Sequence, residues 1–362
     1  MVNIVPPDFP NASPCRIAFV AEAPGAEEDR YGRPLVGPSG ALFTHTLRRL
    51  GIDRAACYVG NVFSTRPSHN NINHFFLTKK GHAAFLKENP SYITTPPSLR
   101  GSKVLNPLYQ PDIDRLRADL LRVQPNIVVC MGAVALWAVA GHEGILKYRG
   151  NIEETNHLGF PLKVIGTYHP AAILRQRENF VYFYHDLRKA EANSTQRNTI
   201  TYSRKIHIPQ RVADVEQFIG MMSATPHLPI VYDIETEYKN IRQIESIGFA
   251  NNPLEAYVVP LISYISPDYS YWPTISAETK VLHAISKFLS NKALTFVAHN
   301  SNYDREYLWR NGIRVPFYPN NQDTMLMHHS MEPELKKDLS TLASLHLDEQ
   351  SWKHIPNAKT NK

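Results

Sequence analysis

The sequence predicts an α/β protein made of two successive sheet-and-helix domains. Three observations predict this. Short apolar runs alternate with amphipathic segments from "CRIAFVAEAPG" to about residue 192. A polar run without apolar periodicity, "EANSTQRNTITYSRK", then interrupts the pattern, and a differently ordered set of apolar runs opens at "PIVYDIET". A chain of 362 residues also exceeds what one ordinary core organises. The expected division is a first domain over residues 1–192, a linker over 193–210 and a second domain over 211–362.

In the first domain, strands are expected at Arg16 to Ala21, Cys57 to Val62, Asn126 to Cys130 and Leu162 to Gly166. Helices are expected at Ala41 to Leu50, Ile113 to Val123, Ala133 to Ala140 and Glu178 to Ala192. Strict alternation of this kind gives a three-layer α/β/α arrangement around a largely parallel sheet, whose ligands sit at the carboxyl ends of its strands. Between Ser68 and Pro107 an Asn-, Pro-, Lys- and His-rich insertion shows no period and reads as a long loop. The second domain begins with a helix near Arg211 to Met222. Three strands follow, one in "PIVYDIET" and two in "ESIGFANNPLEAYVVPL" around an "NNP" turn. A helix at Glu278 to Ser290, the strand "LTFVAHN" and the helix "YDREYLWRNG" complete it. Antiparallel strands followed by alternating helices and strands suggest a sheet of the ribonuclease H kind.

Bulk properties exclude several classes. No apolar run is long enough to span a bilayer, the start "MVNIVPPDFP" lacks the basic and apolar regions of a signal peptide, and a cytosolic protein is expected. Cys15, Cys57 and Cys130 are too few and too scattered for a disulfide framework or a CxxC metal site. The net charge of +6 is uneven: residues 1–192 carry 22 Lys and Arg against 16 Asp and Glu, whereas residues 193–362 carry 17 of each. A basic half suits a polyanion such as DNA.

In "IVYDIET", Asp233 and Glu235 stand two apart on a strand and so share a face, a crowding of charge that calls for a cation. In "FVAHNSNYD" a second strand delivers Asn300 and then Asp304 at the start of a helix. Together these elements resemble the first two motifs of the proofreading 3′–5′ exonucleases with DEDD carboxylates. The segment "DTMLMHHSMEPELKKDLSTLASLHLDEQSWK" resembles the text that follows them in family A DNA polymerases, especially those of bacteriophages. The resemblance implies phosphodiester hydrolysis with Mg²⁺ or Mn²⁺ held by Asp233, Glu235 and Asp304, with Asn300 near the substrate. It also implies a third motif carrying a last Asp. No residue after Lys353 is acidic, and Asp338 and Asp348 lack an aromatic at the required offset, so an exonuclease inactive by itself is expected.

In the first domain, "FVAEAPGAEEDRYGRPLVGPSGALF" makes a Gly- and Pro-rich loop at the end of the first strand. "YVGNVFSTRPS" places Asn61 at a second strand end, and "GTYHPAAILR" places His169 at the last one. These segments, with "PNIVVCMGAVALWAVAG" and "LKYRG", resemble the microbial uracil-DNA glycosylases of the family 4 and 5 type. The resemblance implies a pocket for an everted uracil. Asn61 would read the base, His169 would stabilise charge on its O2, and Glu28 and Glu22 would orient water or support the sugar. Pro24 and Gly25 would shape the loop, and Arg175 would contact phosphate. Where that family carries a base-stacking aromatic, this chain has Leu35, which implies weaker catalysis. The family also holds an iron–sulfur cluster on four cysteines. Thr65 stands at one of those positions, and no cluster is expected.

Two functions follow as expectations. One is a phage-type replication or repair protein joining a glycosylase-like domain to an incomplete 3′–5′ exonuclease domain of a family A polymerase, acting on uracil-containing DNA or a primer 3′ end. The other is a catalytically degenerate DNA-binding module that docks a downstream polymerase polypeptide.

Overall fold

The computed structural model describes residues 3–92, 99–199, 203–236, 243–316 and 321–348. The tail in which no acid follows Lys353 lies outside them. The chain divides into two compact units, one formed by residues 1–199 with the segment from Ser340 and the other by residues 200–339. Among the described residues no helix is long and apolar enough to cross a membrane.

In the first unit β1 (Ile17–Ala21) leads through α1 (Ala26–Tyr31) and α2 (Pro38–Arg49) to β2 (Tyr58–Asn61). The insertion follows, with β3 (Phe76–Thr78), α3 (Lys79–Glu88), β4 (Leu99–Arg100) and β5 (Lys103–Leu105). Next come α4 (Gln110–Val123), β6 (Ile127–Met131), α5 (Ala133–Ala140), α6 (Ile145–Tyr148) and β7 (Ile152–Thr155). The sequence continues with β8 (Leu162–Thr167), α7 (Pro170–Arg175) and α8 (Phe180–Ala192). The main sheet has the order β2-β1-β6-β8-β7, parallel except for β7.

Alternate residues of β1 serve opposite faces. Ala18 and Val20 join a core with Leu116, Leu120 and Val134, while Ile17 and Phe19 join one with Phe43, Leu47 and Phe183. Because every β1 residue is buried, the strand reads as an unbroken apolar run. The three-layer α/β/α expectation therefore holds. Strand order reverses about β1, so the crevice at the carboxyl ends of β1 and β6 is the natural ligand position.

The insertion is not the loop its aperiodic sequence suggests. Its strands form a separate antiparallel sheet in the order β3-β5-β4, and Phe75, Phe76 and Leu105 drive it into the core. Phe75 stacks on Phe63 with centroids 3.7 Å apart. Three short strands and ten helical residues leave too few repeats for a period to show.

The second unit contains β9 (Lys205–His207), α9 (Val212–Ser223), β10 (Ile230–Thr236), β11 (Ile244–Ala250) and β12 (Glu255–Pro260). It continues with α10 (Ile275–Leu289), β13 (Phe296–Ala298), α11 (Ser301–Arg310), β14 (Asn321–Asp323) and α12 (Thr324–Met331). The sheet order is β14-β13-β10-β11-β12-β9. β11 is antiparallel to both neighbours, and β13 and β14 run parallel to β10. This is the ribonuclease H arrangement, with β9 added at the edge.

The last helix, α13 (Leu339–His346), departs from the expected domain limits, because from Ser340 the chain belongs to the first unit. Buried polar groups hold it there. The Lys189 Nζ donates to the carbonyls of Gly150, Ser344 and Leu347 at 2.7, 2.7 and 2.5 Å. Arg149 pairs with Asp186 at 2.6 Å and donates to the Ser344 hydroxyl. Burial pushes the Lys189 ammonium down to about 8, so three carbonyl acceptors compensate only part of its lost hydration.

Candidate functional site

A cavity of about 370 Å³ opens at the carboxyl ends of β1, β2 and β8. All eight residues singled out from the first domain line it: Glu22, Pro24, Gly25, Glu28, Leu35, Asn61, His169 and Arg175.

Asn61 ends β2 and is 5% exposed. Its backbone carbonyl accepts from the Arg115 guanidinium at 2.7 Å, which pins the strand end. Its side-chain amide has no hydrogen-bond partner among the described residues and borders the cavity. The carboxamide is therefore free to meet a ligand from the cavity side.

His169 is the N-cap of α7, where its Nδ1 accepts from the Ala171 N–H at 3.1 Å. That bond leaves the neutral ring's proton on Nε2. Burial lowers the imidazole pKa, and Glu22 and Glu28 oppose that shift. At neutral pH the ring is therefore an uncharged N–H donor on the cavity wall.

Glu28 lines the cavity and is bound by the loop's own backbone. Its Oε2 accepts from the Gly25 N–H and its Oε1 from the Val36 and Gly37 N–H groups, each at 3.1 Å. Three backbone donors saturate the carboxylate, so it holds the loop in shape. A Cβ at Gly25 would stand 2.7 Å from Glu28 Oε2, so a larger residue there would displace that carboxylate. Glu22 accepts from the Val134 N–H at 3.0 Å through Oε1, which ties β1 to the start of α5.

Leu35 occupies the left-handed region at φ +50°, a costly place for a branched side chain. Arg54 holds it there, donating to the carbonyls of Pro34 and Leu35 at 2.6 and 2.9 Å. Gly40 lets the loop close, because a Cβ would lie 2.0 Å from the Leu35 carbonyl oxygen. Strain held by clamps of this kind marks a shaped binding loop.

Sequence reasoning missed Arg54, and it missed Pro67, Asn70 and Ile72, which bring the insertion's first turn to the cavity rim. Asn70 is oriented by the Arg66 Nε at 2.8 Å. The signal was the closeness of "RPSHNN" to Asn61, hidden by reading that stretch as irregular.

The second unit assembles less. β10 alternates buried and exposed positions, so Asp233 and Glu235 do share its exposed face, and Asp304 lies beneath on α11 at 2% exposure. Asp304 Oδ1 accepts from the Ile234 N–H at 3.2 Å. Burial, then the Asp233 charge, raises its pKa to about 7, and burial also raises that of Asp233. Neither Asp233 nor Asp304 has an ion-pair partner among the described residues.

Even so, no group of three or more His, Cys, Asp or Glu side chains among the described residues is placed to hold one ion. Asp304 and Asp233 interact electrostatically, and Asp304 Oδ1 is engaged by backbone. Asn300 sits in the left-handed region at φ +60° and turns the chain from β13 into α11, its N–H donating to Asp323. Asp323 accepts from four backbone N–H groups and is a capping residue.

Burial raises the thiols of Cys15 and Cys130 and pushes that of Cys57 up to about 12.

Comparison with known proteins matches the uracil DNA glycosylase superfamily over residues 7–191. A type-4 uracil-DNA glycosylase of Thermotoga maritima is 36% identical over 166 residues, covering 45% of this chain and 69% of the relative. A DNA polymerase of Bacillus phage SP01 is 24% identical over 339 residues, 86% of this chain and 32% of that protein, so the chain spans about a third of that polymerase's length. Among solved structures, the Aedes aegypti Nibbler EXO domain aligns at 11% identity and TM-score 0.33, covering 44% of this chain and 80% of that one. An EXD2 exonuclease domain soaked in Mg and dGMP aligns at 13% and 0.27, covering 44% and 77%. With more than half of its residues matched by the family model and its cavity built at the matching strand ends, the chain belongs to the uracil-DNA glycosylase superfamily.

Proposed function

We propose that the first unit takes an everted uracil from DNA into the 370 Å³ cavity and hydrolyses its N-glycosidic bond. The observation that carries this reading is the buried, unpartnered amide of Asn61 sharing a cavity with the Nε2–H of His169. The Asn61 amide donates to uracil O4 and accepts from N3–H. Cytosine presents the reverse pattern and leaves both groups unpaired, which costs it entry.

As the bond from C1′ to N1 breaks, its electron pair passes to the base, and the charge on O2 meets the His169 N–H in a site largely closed to water. A water oxygen bonds to C1′ and its proton leaves through Glu22 or solvent, giving an abasic site and free uracil. Glu28 acts as a positioning residue through its three amides. Leu35 packs on the base where an aromatic would stack, and Arg175 lies at the mouth for a phosphate. Incubating the chain with a uracil-containing oligonucleotide should yield alkali-labile sites. If none form while the protein still shifts the DNA on a gel, the excision reading fails and a DNA-binding module stands in its place.

We further infer that the second unit contacts DNA as an exonuclease-like fold whose acids are not assembled for metal-dependent hydrolysis. Support comes from the strand order, the Asp233–Asp304 pair and the partial identity with a phage DNA polymerase. With Mg²⁺ or Mn²⁺ a 3′-labelled primer should stay essentially untrimmed, and a downstream polymerase polypeptide should restore trimming. Efficient trimming by this chain alone would overturn the inference.

A further inference from the structure

The net charge of the protein is concentrated in one short segment. Residues 66–107 carry six Lys and Arg against a single Glu, a balance of +5 out of +6 for the whole chain. The remainder of residues 1–192 carries 16 basic and 15 acidic residues. A segment so biased would ordinarily be a solvated, unfolded loop, yet its described residues form a helix and a small sheet. Thr78 caps α3 through the Gly81 N–H at 3.1 Å, β3 pairs with β5, and Phe75 and Phe76 anchor the base against Phe63 and Trp137.

The helix α3 sorts its residues by face. Lys79, Lys80, Ala83, Ala84 and Lys87 are exposed, whereas His82 is buried and Phe85 and Leu86 are partly so. Lys79, Lys80 and Lys87, spaced by one, seven and eight residues, share one side of the helix over about 12 Å, with Ala83 and Ala84 between them at steps of three and four. Arg100 lies over the Phe76 ring at 5.4 Å, and Lys103 stands on the neighbouring strand. None of the segment's six cations makes an ion pair among the described residues. The same segment begins at the cavity, where Arg66 orients Asn70 on the rim.

Unpaired cations carried by the same insertion that lines a base-sized cavity with Pro67, Asn70 and Ile72 match the chemistry of a nucleic-acid backbone. We propose that the insertion is a phosphate-gripping platform. Lys79, Lys80 and Lys87 hold the strand whose everted base enters the cavity, and Asn70 and Ile72 form the edge over which that nucleotide turns. The proposal rests on reading the cavity as a base pocket, but its binding part can be tested without any excision.

The test is the combined variant Lys79→Ala, Lys80→Ala, Lys87→Ala, in which alanine preserves the helix. Its binding to a uracil-free single-stranded oligonucleotide is followed by fluorescence anisotropy between 50 and 200 mM salt. With three fewer ammonium groups to neutralise phosphates, the slope of log affinity against log salt should become shallower by about 2, and affinity should fall at least tenfold at 100 mM salt. With uracil DNA, the maximal single-turnover rate should hold while the half-saturating concentration rises. An unchanged slope in a variant whose circular dichroism matches wild type would overturn the platform. If wild type releases no uracil but the slope still falls in the variant, the pocket reading fails and the platform survives.

Discussion

The cavity at the end of β1 and the acid pair of β10 and α11 both bury carboxylates, and they treat the buried charge in opposite ways. Glu28, 8% exposed, meets three backbone N–H groups, so the fold itself solvates its charge. Asp304, 2% exposed, meets the Ile234 N–H and faces a second acid, so its charge is left largely unsolvated and its pKa rises to about 7. The polar group that the first unit leaves free at its cavity is neutral, the Asn61 amide. In the second unit it is ionisable. A free neutral group is left at modest cost, whereas two neighbouring buried acids store electrostatic repulsion.

The largest expected effect comes from removing the neutral group. Asn61→Ala should slow uracil release by roughly 10²–10³-fold in single-turnover assays while leaving thermal stability near wild type, because the amide is unpaired in the free protein. A rate within a few-fold of wild type would remove Asn61 from recognition. Next, Glu28→Gln puts an NH₂ group against a backbone N–H that now meets an oxygen. It should destabilise the first unit by about 1.5–3 kcal/mol, read as a lower denaturation midpoint.

Asp304→Asn should act with the opposite sign. The folded-state pKa lies above the ordinary 3.8, so the native state holds its proton more tightly. Stability of the second unit therefore falls as pH rises from about 4 to 7 and stays low above it. Asparagine cannot ionise, so in EDTA at pH 8 the variant should be more stable than wild type by about 1–3 kcal/mol, the advantage vanishing near pH 4. The smallest effect belongs to Asp233→Asn. Removing the like charge should lower the Asp304 titration midpoint, seen by carboxyl carbon NMR, while burial keeps it above that of an exposed Asp. A midpoint unmoved by this change would mean that the two acids are not coupled.

Much of the site was legible because it sits where strands end. Glu22, Asn61 and His169 each close or follow an apolar run, and a parallel sheet turns that local fact into a shared location. Ala133 to Ala140 could be bounded from its composition alone, because its residues are nearly all buried. The insertion was not legible, because its sheet is held by Phe75 and Phe76 packing on residues remote in sequence. The α13 segment was obscured for the same reason, being placed by Lys189 and Arg149 from more than 150 residues away.

By itself, then, the amino-acid order determined the central strands of the two main sheets, which side chains stand at their ends and that the positive charge lies in the first half. Those properties depend on near neighbours, through periodicity, turn chemistry and composition. The tertiary structure alone decided that Glu28 receives three loop N–H groups, that Leu35 is held in a left-handed turn by Arg54 and that Asp304 is buried against the Ile234 N–H. Each of these depends on which backbone N–H or guanidinium reaches a given oxygen, and that partner comes from a distant part of the chain.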